Sequence, residues 1–230
     1  MSAAFASIRQ GGPLWDALMK FALRFDGDLP SNGRPAQKWE IRKQLHPQLA
    51  ELWRINPCLQ EAKHKCHAST VGYVQYEIHH SVPEFRPAYE PDPHGNSVAL
   101  QEPIVRGDRQ CLPLVRETLA LKCALRISFL RRDEPGRVYQ QGDLDNRLKT
   151  LFDALQVPNP DQMTGAPSIE EIPNPIYCLL EDDKLITGFE IESHQLLSRP
   201  PRSKNDVSIV LHVDVRVVRP RIYNHMFLGD

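Results

Sequence analysis

Two aspartates stand two residues apart at the mouth of the stretch Gly142-Asp143-Leu144-Asp145-Asn146-Arg147-Leu148-Lys149-Thr150-Leu151-Phe152-Asp153-Ala154-Leu155. In extended chain, residues i and i+2 point the same way, so the carboxylates of Asp143 and Asp145 are expected to converge. Two such groups about 4 Å apart repel by roughly 4 kcal/mol at an effective dielectric near 20. A fold keeps that arrangement readily when a cation or a proton relieves it. The partial positive charge of a helix N-terminus behind them acts in the same direction. The competing reading makes Asp145 a helix N-cap and Asp143 a solvated surface charge.

Lys149 and Asp153 continue the line from Asp145 at i+4 and i+8. On a helix the three stand above one another, with Lys149 one turn from the carboxylates, near enough to touch a phosphate held there. The alternative is a surface salt bridge between Asp145 and Lys149, worth a few tenths of a kcal/mol. Asp182 and Asp183 form a second acidic pair just before a strand-like segment. A sheet neighbour is expected to bring them beside Asp143 and Asp145. Oxygen ligands from separate elements, completed by water and phosphate, suit Mg²⁺, and such ions support hydrolysis of a phosphodiester.

The elements that must position these groups are read from periodicity. Trp15, Ala17, Met19, Phe21, Leu23 and Phe25 alternate as one face of a strand. It runs into a loop at Asp28–Gly33. Ala36 to Arg54 reads as a helix with Trp39, Leu45, Leu49 and Leu52 apolar, and Pro47 is expected to kink it or begin a second segment. Val71 to Ile78 alternates and is read as a strand, and the proline-rich stretch 83–93 as a loop. Leu121 to Phe129 alternates as a strand. Leu148, Leu151, Phe152 and Leu155 form the apolar face of an amphipathic helix. Val157 to Pro175, with its prolines, is expected to be irregular. Leu185, Thr187, Phe189 and Ile191 make one more alternating face. Val207, Ile209, Leu211, Val213, Val215 and Val217 make the longest strand signal. These elements predict an α+β fold, a mixed β-sheet with helices packed on one face.

With 230 residues, 41% hydrophobic and 25% charged, the chain has the composition of an ordinary globular protein. It has no long apolar run that would span a membrane, and its start shows no secretory segment. A cytoplasmic protein is expected. The five cysteines are odd in number and contain no C-x-x-C, which argues against a disulfide framework. Cys58, His64, Cys66 and His67 lie close in sequence but match no familiar zinc spacing. The net charge of −1 and pI of about 6.8 lack the basic excess of a nucleic-acid binder, although a local basic stripe can serve.

Asp143-Leu144-Asp145-Asn146, followed by Lys149, Asp153-Ala154-Leu155 and then Glu181-Asp182-Asp183, resembles the pattern of RusA-type Holliday-junction resolvases. The Pro30-Ser31-Asn32 loop after the first strand is similar to the P-S-N loop of that family. The resemblance implies a single RusA-like domain over 1–230 carrying insertions at about 55–118 and 156–177. It further implies a Mg²⁺-dependent endonuclease, with Mn²⁺ able to substitute, working as a homodimer on branched DNA. Asp143, Asp145 and Asp183 would be the metal-binding catalytic acids, and Lys149 would contact the scissile phosphate. Asp182, Asp153 and Asn146 would be supporting, Asn146 by bonding backbone at the helix start. Arg131, Arg132, Arg137 and Arg147 cluster around the acids and are expected to hold DNA phosphates. Arg199, Arg202 and Lys204 form a second basic stretch, and Arg216, Arg219 and Arg221 a third that is read as a solvated face. The alternatives are a non-catalytic DNA- or protein-binding module on the same fold, or a nuclease with another nucleic-acid substrate.

Overall fold

The computed structural model describes residues 19–64, 67–69, 97–99, 103–132, 143–197 and 205–219, with positions 200, 203, 224 and 227. The expected strand at 71–78, the turn at 135–136, Arg137 and the basic stretch at Arg199, Arg202 and Lys204 lie outside them. A four-stranded sheet carries the architecture. Its strands are β1 (Met19–Asp28), β6 (Leu121–Arg131), β8 (Ile186–Gln195) and β9 (Asp206–Val217), in the order β1-β9-β6-β8. β6 and β8 are parallel, and the remaining pairs are antiparallel. Parallel neighbours need a crossover, and the helix α3 (Asp143–Leu155) lies within it.

The alternating residues fill the core as their spacing demands. Val207, Ile209, Leu211, Val213, Val215 and Val217 are all buried on β9. They face the same layer as Leu121, Cys123, Leu125, Ile127 and Phe129 of β6 and Leu23 and Phe25 of β1. Two helices close this face. α1 (Pro35–Ile55) contributes Ile41, Leu45, Leu49 and Trp53, and α3 contributes Leu148, Leu151 and Leu155. The fold is therefore α+β, with helices on one face of a mixed sheet.

Two local expectations are corrected. α1 continues through Pro47 without a second segment. Pro47 is exposed, so the ring and the one missing helical hydrogen bond fall on the solvent side. β8 does not bury Thr187 and Phe189: both are exposed, because β8 is an edge strand at the margin of the helical layer. Phe189, 52% exposed, packs edge-on against Phe152 of α3 at 5.3 Å between ring centroids.

The regions read as two separate insertions share a second sheet. The first contains α2 (Pro57–His64), β2 (His67–Ser69), β3 (Ser97–Ala99), β4 (Ile104–Arg106) and β5 (Arg109–Val115). Among the described residues β2 pairs only with β3. β7 (Ile176–Leu180) follows the proline-rich loop. It lies parallel to β5, and β4 lies antiparallel on the other side. Beneath this sheet Trp39 of α1, Cys111, Val157, Ile172, Ile176 and Cys178 form a small core of their own. Arg109 joins the two regions directly. Its guanidinium donates to the Pro167 carbonyl at 2.6 Å, to the Asn174 Oδ1 at 3.2 Å and to the Ile172 carbonyl. Stretch 157–175 is irregular apart from a 3-10 turn at Pro160–Met163, and it is anchored on both flanks.

Candidate active site

The loop after β1 docks on α3. Leu29 is buried, and its N–H donates to the Asn205 carbonyl at 2.9 Å. Arg147 of α3 donates to the Leu29 carbonyl at 2.9 Å and to Asn205 Oδ1 at 3.3 Å. Asn32 takes φ 58°, a conformation Asn tolerates better than most residues. Gly33 then passes so close to α3 that its N–H donates to Thr150 Oγ1 at 2.9 Å. A Cβ at Gly33 would lie 2.5 Å from Thr150 Cγ2. The Thr150 hydroxyl in turn donates to the Asn146 carbonyl at 3.1 Å. The Pro30-Ser31-Asn32-Gly33 loop and the first turns of α3, far apart in sequence, are thus one surface.

On that surface the helix begins at Asp143, so Asp145 is its third residue and not its N-cap. The extended geometry that would align Asp143 with Asp145 does not occur there. A two-residue step around a helix turns the chain by about 200°. Asp145 and Lys149 are both exposed and form no ion pair with each other. Asn146 serves the helix start with its main-chain carbonyl. Asp153 belongs to a different neighbourhood: its carboxylate accepts from Lys38 Nζ of α1 at 2.6 Å, in a half-buried pair.

Asp182 and Asp183 lie at the other end of α3. The Asp183 N–H donates to Gln156 Oε1 at 3.0 Å, and the Val157 N–H donates to the Leu180 carbonyl at 2.9 Å. Gln156 is the residue after the last of α3. Ten helical residues separate Asp145 from Leu155, about 15 Å along the axis. The expected meeting of Asp183 with the α3 acids within one chain is therefore corrected. The reason is topological: β6 and β8 run parallel, so the chain enters β8 at the edge of the sheet opposite to the one where it leaves β6. Asp182 accepts from the Lys184 N–H at 3.0 Å and caps a short 3-10 turn, Asp183–Leu185.

Of the arginines expected to hold phosphates, Arg131, Arg132 and Arg147 are among the described residues, and these three turn inward. Arg147 is 7% exposed and engaged with Leu29 and Asn205. Arg131 is 5% exposed. Arg132 donates to the Leu196 carbonyl at 2.8 Å and lies 3.6 Å from the buried carboxylate of Asp206. These side chains hold the sheet end and the loop together; they do not present charge to solvent. Among the described residues, Lys149 and Arg34 are the exposed cations of this surface.

Behind the α3 C-terminal half lies a polar clamp that periodicity did not disclose. Buried Arg42 of α1 donates to the Asp153 carbonyl at 2.5 Å and to Gln162 Oε1 at 2.7 Å, with its guanidinium 5.0 Å from the Trp39 ring. Burial lowers its pKa, partly offset by nearby thiols and Asp153. Trp39 Nε1 donates to the Gln162 carbonyl at 2.8 Å. His46 Nδ1 accepts from the Tyr177 N–H at 3.1 Å, and burial followed by the charge of Arg109 lowers its pKa. The positions of Arg42 and His46 within a helical stripe were the available signal: each sits beside the apolar residues Ile41 and Leu45, on the face that must be buried.

Among the described residues no group of three or more His, Cys, Asp or Glu comes together. The side chains of Asp143, His64, Cys66 and His67 lie outside those residues. Cys58 is a half-buried cysteine on α2. No described helix is long and apolar enough to cross a membrane. Comparison with family models, curated proteins and solved structures yields no match.

Proposed function

We propose that the chain is a divalent-metal-dependent endonuclease acting on branched DNA, with its acids at the N-terminal end of α3. The observation that carries this reading is the docking of the Pro30–Gly33 loop onto α3 through Gly33, Thr150 and Arg147. It gathers the two motifs of the resolvase resemblance onto one surface with Asp145 and Lys149 exposed. The donor set is all oxygen, which fits Mg²⁺ or Mn²⁺ better than zinc. Asp145 would hold the ion, and Asp183 of the same chain does not fit the set, being a helix length away. Asp183 therefore enters the site from a second copy in a homodimer. Two copies with antiparallel α3 helices would set each Asp145 beside the other copy's Asp183. Bound there, the ion would neutralise the scissile phosphate and lower the pKa of an attacking water. Lys149, one turn from Asp145, holds the phosphate by charge.

The test is cleavage by the purified chain of a panel comprising four-way, three-way, duplex and single-stranded DNA and RNA. The reading expects Mg²⁺- or Mn²⁺-dependent nicking, strongest on the four-way substrate and abolished by Asp145→Asn with folding intact. Absence of cleavage throughout the panel would overturn it. A non-catalytic DNA- or protein-binding module is the second reading. The separation of Asp145 from Asp183 favours it if the chain is a monomer in solution.

A further inference from the structure

The face of the four-stranded sheet turned away from α1 and α3 carries a trough of about 630 Å³. Its floor is low where three of the four strands place small residues: Ala22 on β1, and Ala124 and Gly188 on the neighbouring β6 and β8. A Cβ added at Gly188 would meet nothing within 4 Å, so the trough is open above it. The volume falls within the range of small-molecule sites. It is also set apart from the acids, which lie with α3 on the opposite side of the sheet.

Charge is arranged around this floor. Lys20, Asp214, Ala124 and Gly188 form one row across the sheet, and Ala22, His212, Arg126 and Glu190 form the next. Arg126 and His212 are directly opposed across β6 and β9, as are Lys122 and Arg216. Lys122 and Arg216 are both cationic, directly opposed like charges weaken a sheet, and an anion held over the floor beside Arg216 relieves that penalty. The side chains of Lys20 and His212 have no hydrogen-bond or ion-pair partner among the described residues. Arg126 has Glu190 at 3.4 Å, a long contact between two largely exposed groups. Arg216 is held by Asp214 at 2.8 Å. The trough therefore offers cations for a phosphate and, at Glu190 and Asp214, carboxylates that accept from hydroxyl or amino groups.

We infer that this trough binds a nucleoside phosphate, its phosphate on Lys20 and Arg126 and its hydroxyls or amino groups on Glu190 and Asp214. A free nucleotide and the phosphorylated end of a nucleic-acid strand share this chemistry. Titration calorimetry of the full chain with adenosine monophosphate, in chelator so that no divalent ion takes part, tests the inference. Saturable binding is expected, weakened about tenfold or more by Lys20→Gln. Gly188→Leu should weaken it similarly by filling the open space. Both positions are exposed, so unchanged melting temperatures are expected to accompany the loss. Absence of saturable binding, or binding unchanged in both variants, overturns the proposal. Inorganic phosphate binding as tightly as the nucleotide would overturn the nucleoside part. A 5′-phosphorylated trinucleotide that binds more tightly than the mononucleotide identifies a strand end as the ligand, and equal or weaker binding identifies the free nucleotide. Because the assay needs neither a divalent ion nor Asp145, its failure leaves the nuclease reading untouched.

Discussion

Asp145 and Asp183 stand at opposite ends of one helix, Asp145 in the first turn of α3 and Asp183 bonded through its main chain to Gln156, just beyond the last. The α3 axis rises about 15 Å from Asp145 to Leu155, more than one cation can bridge. This separation makes assembly of two copies a requirement of any three-carboxylate mechanism in this chain. The proposed hydrolase is consequently expected to lose specific activity on dilution below its dimer dissociation constant, measured as initial nicking rate against protein concentration. A rate per chain independent of concentration throughout would argue for a monomeric site.

The close passage of the Pro30–Gly33 loop over α3 has a steric test. Gly33→Ala places a methyl 2.5 Å from Thr150 Cγ2, and overpacking of this kind costs about 2 kcal/mol. Thr150→Ser removes that methyl and keeps the oxygen that accepts from Gly33. The double variant should recover more than half of the loss in denaturant unfolding. Equal stability of Gly33→Ala and the parent would show that the loop does not sit against the helix.

Arg109 ties β5 to the loop before β7 with three acceptors on that loop. Arg109→Met leaves the Pro167 and Ile172 carbonyls without this donor and should destabilise the chain by about 3 kcal/mol. Limited proteolysis should then cut first between residues 164 and 171, ahead of β1, β6 and β9. Unaltered cleavage order would contradict the anchoring role.

His46 gives the stability a pH dependence of fixed sign. Its folded pKa lies below the ordinary 6.5, chiefly through burial and then through Arg109. The unfolded chain therefore binds the extra proton first, so His46 contributes stability above about pH 6.5 that is lost as pH falls toward the folded pKa. Protonation also removes the acceptor for the Tyr177 N–H. His46→Gln should flatten the fall in melting temperature between pH 7 and pH 5, roughly the window in which a depressed histidine titrates. An unchanged slope would show that other groups set it.

Sheet and helices were largely legible where one face is buried. Six alternating residues of β9, five of β6 and the Leu148–Leu155 stripe of α3 announce their own buried side. β5 and β7 were not legible. Cys111-Leu112-Pro113-Leu114-Val115 is buried without alternation and holds a proline, and β7 follows directly on a proline-rich loop. Arg131 and Arg147 were misread as surface cations because the groups that satisfy Arg147, the Leu29 carbonyl and Asn205, are remote in sequence. The expectation that Asp183 meets Asp145 rests on a strand after Asp183 pairing close to the α3 acids, and on motif order. The strand–helix–strand crossover of β6, α3 and β8 carries the opposite message, since acids before the helix and acids before the second strand fall at opposite edges of the sheet.

The central claim is that carboxylates from opposite ends of α3 act together across two copies. Mixing equal amounts of Asp145→Asn and Asp183→Asn chains, each inactive alone, tests it by nicking of a four-way junction in Mn²⁺. Random reassociation makes half of the dimers mixed, each with one intact shared site, so about a quarter of parental activity should return. If the parent cuts and the mixture stays inactive after subunit exchange, the acids act within one chain and the account is wrong.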